Sequence, residues 1–314
     1  MPDEQSSIAP VTRTSWFWTL LLGISMLVGG SMALVIASTR IVLPYDESMT
    51  GMSREELTAV NDKLLMFMAH DRASLAGSMI SVGALYVLLS LFGVRRGMHW
   101  ARTTILVSAF TGFGSFFLFL GFGYFDPFHA FVTSILFPML LLSLQGAMPS
   151  STYEPPAPRM GDRREGGSSL GRLTLIGQGV ILLAAGTVIS FVGVTSVFVP
   201  EDLEFMQTSA GELAAKSPRL LPLIAHDRAS FGGMLLSVGW VVLLSAWLGW
   251  RRDSAWLWWA ILLCGAAGYG PAIVVHLVVG YTNVWHLAPA FSGAALLLLG
   301  LVLSRPFLCS PSES

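Results

Sequence analysis

The hexapeptide Ala-His-Asp-Arg-Ala-Ser occupies residues 69–74, and the same six residues recur unchanged at positions 225–230. Over residues 69–96, fourteen of twenty-eight positions are identical to the residue 156 positions later. Shared hydrophobicity alone does not give such agreement, so the pattern predicts an internal duplication.

The match continues on both sides of the hexapeptide. It pairs Gly30 with Gly186, Thr39 with Thr195, Trp100 with Trp256 and, after one inserted residue, 123–129 with 280–286. We therefore predict a first four-helix repeat at residues 1–148, a cytoplasmic linker at 149–171 and a second four-helix repeat at 172–314.

The composition excludes a soluble globular protein, because 54% of the residues are hydrophobic and only 12% are charged. A net charge of -1, without any basic run, predicts no nucleic-acid partner. Apolar stretches of about 20 residues predict an all-α integral membrane protein with eight crossings in two parallel-duplicated four-helix bundles. The crossings are Trp16–Ile36, Ala73–Val94, Thr103–Phe122, Ala130–Ala147, Leu173–Phe191, Ala229–Trp250, Ala255–Val279 and Leu287–Leu303.

The arginines set the expected orientation. They cluster between the second and third crossings, between the sixth and seventh, and in the linker, whereas acidic residues crowd the loops on the other side. By the positive-inside rule both termini are cytoplasmic, and the loops 41–69 and 199–225 are extracytoplasmic. We expect a short surface helix at Ser53–Met68 and another at Ala210–Ile224. The expected location is a cell membrane, most simply a bacterial inner membrane.

Four histidines occupy paired positions at the extracytoplasmic helix ends: His70 with His226, and His129 with His286. At 100° per residue, each histidine of the hexapeptide heads a stripe of small residues. These stripes are His70, Ser74, Gly77 and Ser81, and His226, Ser230, Gly233 and Ser237. A stripe without bulk admits either a neighbouring helix or a planar cofactor. We expect the histidines to pair within each half, His70 with His129 and His226 with His286.

The charged residues of the hexapeptide have simpler expected roles. Asp71 is predicted to cap the N-terminus of its helix, and Arg72 to reach lipid phosphates or a loop carboxylate such as Asp46. Asp227 and Arg228 repeat this structural pair in the second half, where Asp202 corresponds to Asp46. Tyr124 and Tyr281 are expected to assist a bound quinone. His276 has no counterpart in the first half, and Asp126 is replaced by Asn283 in the second.

This layout resembles the haem A synthase family, whose members have eight crossings in two parallel halves, with paired histidines on the second and fourth helix of each half. That family has a glutamate three residues before the histidine and an arginine directly after it. Here Phe67 and Leu223 take the first position, and Asp71 and Asp227 the second. The resemblance therefore covers layout, and it implies a haem or quinone site rather than the same enzyme activity.

Several functions remain open at this stage. The leading hypothesis is a membrane redox protein that binds haem b or quinone through His70, His129, His226 and His286, which would act as metal ligands only towards haem iron. A non-catalytic subunit or scaffold could instead bind membrane-complex partners through the outer loops. A transporter is less well supported, because the crossing interiors lack charged residues. A metal-dependent hydrolase could use His70, Asp71, Asp126 and His129.

Overall fold

The computed structural model describes residues 14–119, 124–148 and 165–311, and within these ranges it contains helices and no β-strand. The helices are α1 (Ser15–Thr39), α2 (Pro44–Thr50), α3 (Arg54–Val60), α4 (Leu64–Phe92), α5 (His99–Phe119), α6 (Pro127–Gln145), α7 (Glu165–Val194), α8 (Pro200–Met206), α9 (Ala210–Lys216), α10 (Leu220–Leu248), α11 (Ala255–Val279) and α12 (Val284–Leu308). A 3-10 turn, Val94–Arg96, follows α4. Most of the predicted linker lies outside the described residues.

Seven of the described helices are long and apolar enough to cross a membrane: α1, α4, α6, α7, α10, α11 and α12. The chain is therefore an all-α protein with the helices of a membrane protein. Helix α5 covers most of the predicted third crossing but is not among the seven. Its threonine hydroxyls donate hydrogen bonds within the helix, as where Thr104 donates to the carbonyl of Trp100 at 2.9 Å.

Two helices begin earlier than predicted. Helices α4 and α10 start at Leu64 and Leu220, so the whole hexapeptide lies inside each helix. The expected surface helices are correspondingly shorter, and α3 and α9 end at Val60 and Lys216. The charged residues of the hexapeptides can lie inside helices because the short helices of the two long loops cover the beginnings of α4 and α10 with a shared apolar cluster.

Glycines bring the first two long helices of each half into close contact. A Cβ atom at Gly83 of α4 would lie 2.7 Å from the backbone nitrogen of Leu27 in α1. In the second half, a Cβ atom at Gly179 of α7 would lie 2.7 Å from the Cα of Leu243 in α10. At both positions a side chain would collide with backbone, so glycine is required for this approach.

The halves are interlocked rather than packed as two separate bundles side by side, which corrects the expected arrangement. Helix α4 packs against α11 of the second half, and α10 packs against α5 of the first. Ser81 on α4 donates a hydrogen bond to the carbonyl of Cys264 at 2.8 Å, and Ser108 on α5 donates to that of Ser237 at 2.8 Å. The small residues of each stripe permit this packing.

The glycine contacts generate a test of the packing. We expect Gly179→Leu to lower the thermal unfolding midpoint in detergent, because overpacking against backbone costs about 1–3 kcal/mol or more. Gly177→Leu, two positions earlier in the same helix, is the matched control, since a Cβ atom there meets nothing within 4 Å. Equal effects of the two substitutions would contradict the close α7–α10 contact.

Candidate functional site

Two histidine clusters lie at the end of the bundle where α4, α6, α10 and α12 begin. The first histidine cluster contains Asp126, His129 and His226, and the second contains His70, His276 and His286. Within each cluster, one potential ligand atom per residue lies within 4.8 Å of the others. His70, His226, His276 and Asp126 are buried, and His129 and His286 are partly buried.

The histidines pair across the two halves, not within them, so the expected pairing is wrong. His129 Nδ1 lies 3.2 Å from His226 Nε2. The ring centroids of His70 and His286 lie 5.6 Å apart. This exchange follows from the interlocked packing. Because α4 packs against α11 and α10 packs against α5, each hexapeptide histidine lies beside the histidine of the last helix of the other half.

Buried ion pairs connect the two hexapeptide helices, α4 and α10. Arg72 Nε lies 2.7 Å from Asp227 Oδ2, and Arg72 Nη1 lies 2.8 Å from Asp46 Oδ2. In the second half, Arg228 Nη1 pairs with Asp202, and its Nε lies 3.4 Å from Asp71 Oδ2. The predicted contact of Arg72 with Asp46 is therefore confirmed.

The predicted capping role of Asp71 is wrong. Asp71 lies in the second turn of α4, and the N-cap position of this helix is Lys63. The carboxylate instead approaches Arg228 of the other half, and Asp227 likewise pairs with Arg72. Asp71 and Asp227 thus join the two hexapeptide helices rather than cap them.

The ion-pair network has an excess of acid. Four buried carboxylates, those of Asp46, Asp71, Asp202 and Asp227, share two guanidinium groups. With neutral histidines, the network therefore carries two uncompensated negative charges. A buried charge without a partner is costly, so the network favours bound protons or a cation nearby.

Two tyrosines complete the network from the turns before α6 and α12. Tyr124 donates a hydrogen bond to Asp46 Oδ1 at 2.6 Å, and Tyr281 donates to Asp202 Oδ1 at 2.8 Å. Burial, reinforced by these carboxylates, raises the pKa of both phenols well above the ordinary value. Burial alone would raise the pKa of Asp202, but Arg228 and the hydrogen bonds donated by Val199 N–H and Tyr281 lower it overall. The tyrosines are hydrogen-bond donors that hold the loop carboxylates in place.

The first histidine cluster forms a hydrogen-bonded chain. His226 Nδ1 lies 3.3 Å from Asp227 Oδ1, while His226 Nε2 faces His129 Nδ1. Asp126 Oδ2 lies 3.2 Å from the same His129 nitrogen. If each Nδ1 carries the proton, His226 donates to Asp227 and His129 donates to His226, leaving His129 Nε2 with a lone pair.

An apolar cavity of about 100 Å³ adjoins this chain, and a water needs only roughly 10–15 Å³ on such a measure. His129 and Ser230 line it, together with apolar side chains of α1, α4, α5 and α6. Ser230 Oγ is buried and has no hydrogen-bond partner. The cavity therefore combines an apolar wall with two polar groups able to hold a ligand.

The corresponding cavity of the second half is smaller, at about 40 Å³, and no histidine lines it. Gln178 and Tyr269, which are hydrogen-bonded to each other, line this cavity where Leu22 and Phe113 stand in the first. The two halves thus offer different sites.

The other stripe residues have packing roles. A Cβ atom at Gly77 would lie 2.9 Å from the carbonyl of Ala267 in α11, so helix packing occupies the space predicted for a planar cofactor. Ser74 and Gly233 are buried within α4 and α10. Of the predicted small residues, Ser230 and Ser237 line the larger cavity.

Two residues were not assigned to the cofactor site from the sequence. His276 joins the second cluster, and Asp126 caps α6 by accepting hydrogen bonds from the backbone of Phe128 and His129. Both positions interrupt the internal match of the sequence. A break in an otherwise retained pattern was therefore the available signal for them.

The ion pairs yield a second test. Arg72→Met should destabilise the protein by about 3–5 kcal/mol, because it leaves Asp46 and Asp227 buried without their cation. Adding Asp227→Asn to Arg72→Met should recover part of the loss, as measured by denaturant titration in detergent. Arg54→Met, at a peripheral arginine whose contact is exposed, is the control. Strictly additive losses would refute the coupling.

Comparison with known proteins completes the description of the site. No protein-family model, no curated protein and no solved structure matches this chain. Among the described residues, the groups best placed for chemistry are the two histidine clusters, the ion-pair network between them and the cavity beside His129.

Proposed function

We propose that this protein is a membrane-embedded redox protein that binds a quinone in the cavity beside His129. The observation that carries the proposal is that His129 both lines the apolar cavity and ends the hydrogen-bonded chain to His226 and Asp227. A quinone needs an apolar site for its tail and ring, with a few polar groups for its oxygens.

The polar groups fit the reduced form of such a ligand. His129 Nε2 can accept a hydrogen bond from a hydroquinone hydroxyl, and the unpaired Ser230 Oγ can contact an oxygen of the same molecule. Oxidation of a hydroquinone releases two protons and two electrons. His129 can take up one proton as its Nδ1 proton moves to His226, whose positive charge Asp227 then stabilises. The second proton leaves to water, and the electrons leave to one-electron carriers, such as haem, in a partner complex.

The geometry supports quinone over haem b at this site. Two axial imidazoles bind iron at about 2 Å each, so their nitrogens lie about 4 Å apart with the macrocycle between them. His129 and His226 are instead in direct hydrogen-bond contact at 3.2 Å. In the second cluster, three rings contact one another with centroids 4.8–5.6 Å apart, which leaves no gap for a macrocycle.

We further propose that α5 is an eighth crossing, and that residues 1–148 and 172–314 are duplicated repeats. An even number of crossings per repeat gives both halves the same direction in the membrane. The matching helix lengths support this: α2 and α8 have 7 residues each, and α4 and α10 have 29 each. The arginine distribution supports a cytoplasmic location for both termini in a cell membrane.

Cysteine labelling tests this orientation. The exposed native Cys309 should react with a membrane-impermeant maleimide only after permeabilisation. In a Cys309→Ser background, Ser48→Cys and Glu204→Cys should react in intact cells, because both positions are exposed on the long loops. The buried Cys264 should stay unlabelled in native protein. Labelling of Cys309 and of the loop positions from the same side would overturn the topology.

Quinone binding can be measured directly with a short-chain ubiquinol on purified protein. We expect His129→Leu to weaken binding about tenfold, since losing one hydrogen bond costs about 1–1.5 kcal/mol. Thr133→Phe should weaken binding by filling the cavity, which Thr133 lines. Ser134→Phe, at the next and exposed position, should bind normally. Absence of binding to the wild-type protein, or equal binding by all variants, would exclude this site.

A further inference from the structure

The three imidazoles of the second histidine cluster share one hydrogen-bonding pattern. His70 Nδ1 lies 2.7 Å from the carbonyl oxygen of Phe67, and His276 Nδ1 lies 2.5 Å from that of Ala272. Each of these nitrogens must carry a proton, because a carbonyl only accepts hydrogen bonds. His286 Nδ1 lies 3.1 Å from the Tyr281 oxygen, whose own proton goes to Asp202. His286 Nδ1 therefore also donates.

This pattern leaves all three Nε2 atoms with lone pairs. His276 Nε2 is buried and has no hydrogen-bond partner, and the residue is only 6% exposed. His70 Nε2 lies 3.4 Å from Asp71 Oδ1, so a lone pair faces a carboxylate. The lone pair of His276 Nε2 and the lone pair of His70 Nε2 beside Asp71 therefore each need an electrophile. That electrophile is either a proton or a metal cation.

We propose that the second histidine cluster binds one first-row transition-metal dication through Nε2 of His70, His276 and His286. Imidazole nitrogen is a ligand suited to zinc, copper, iron, cobalt and nickel, and three such ligands leave a fourth position open. Histidine ligands in metal sites donate their other N–H to a carbonyl, carboxylate or similar acceptor, as all three do here.

The spacing fits such an ion after a modest adjustment. Metal–nitrogen bonds of about 2.0–2.1 Å place tetrahedral ligand atoms roughly 3.3 Å apart. The potential ligand atoms of the cluster lie within 4.8 Å of one another. The three rings belong to α4, α11 and α12, and rotation of the side chains can bring their Nε2 atoms onto one ion. Because α4 belongs to the first half and α11 and α12 to the second, the ion would connect the two halves of the chain.

The surrounding charge favours a dication. The ion-pair network carries two uncompensated negative charges. Asp71 of this network contacts His70 directly, and Asp202 is linked to His286 through Tyr281. A bound dication would neutralise this excess, which reduces the cost of burying the ion and the carboxylates together.

The first histidine cluster lacks a third imidazole for the same site. The residue 156 positions before His276 is Leu120, so the first cluster contains two histidines and Asp126 instead of three histidines. His129 and His226 also use their facing nitrogens in a mutual hydrogen bond. The proposal is therefore independent of quinone binding, which uses the other cluster.

Cobalt binding tests the site on the purified, chelator-treated protein. Titration with Co²⁺ should give the visible absorption of a low-symmetry nitrogen-ligated ion at one equivalent per chain, and Zn²⁺ should abolish it by displacement. His276→Leu introduces the residue that the first half has at the corresponding position, Leu120. It should weaken cobalt binding at least about 100-fold, which is more than the loss expected from removing an outer hydrogen-bond partner. Tyr281→Phe, which removes such a partner from His286, should weaken it about 10- to 100-fold.

The controls separate this site from adventitious binding and from the quinone site. His99→Leu, at an exposed histidine on α5, should leave cobalt affinity unchanged, and His276→Leu should still bind ubiquinol if the first cluster does. If His276→Leu does not fold, the electron paramagnetic resonance spectrum of Cu²⁺-loaded wild-type protein decides, since it should show three imidazole nitrogens. The same cobalt affinity in His276→Leu, or fewer than three nitrogens on copper, would overturn the proposal.

Discussion

The arginine of each hexapeptide is held by a carboxylate of the other half, and the rest of the site depends on this exchange. Arg72 lies between Asp46 and Asp227, and Arg228 between Asp202 and Asp71. An arginine at this depth needs an anionic partner, because water is scarce. The pairs therefore hold α4 and α10 together at the end where the histidines lie, and the loops fold back over them to bring Asp46 and Asp202 into reach.

The two histidine clusters on either side of this network differ in their chemistry. In the first cluster, an imidazole pair is hydrogen-bonded and borders an apolar cavity, an arrangement suited to proton exchange with a ligand. In the second, His276 adds a third imidazole and the corresponding cavity is reduced. One polar network thus supports a proposed quinone site on one side and a proposed metal site on the other.

The proximity of the two clusters has a physical consequence for both proposals. Asp71 and Asp227 each contact a histidine of one cluster and an arginine of the hexapeptide opposite. A change of charge at one cluster therefore alters the electrostatic environment of the other through two short contacts, in a region of low dielectric constant. Proton uptake at His129 and cation binding at His70 would be coupled by this route.

Local features of the sequence were sufficient to predict an all-α chain with membrane-spanning helices and the contact of Arg72 with Asp46. Hydropathy and internal similarity are readable along the chain because they depend on residue type and spacing alone. The cap assigned to Asp71 and the pairing of His70 with His129 were wrong, because both depend on which helices meet. Only the tertiary structure decides that, since the stripes of small residues on α4 and α10 allow close packing against helices of either half.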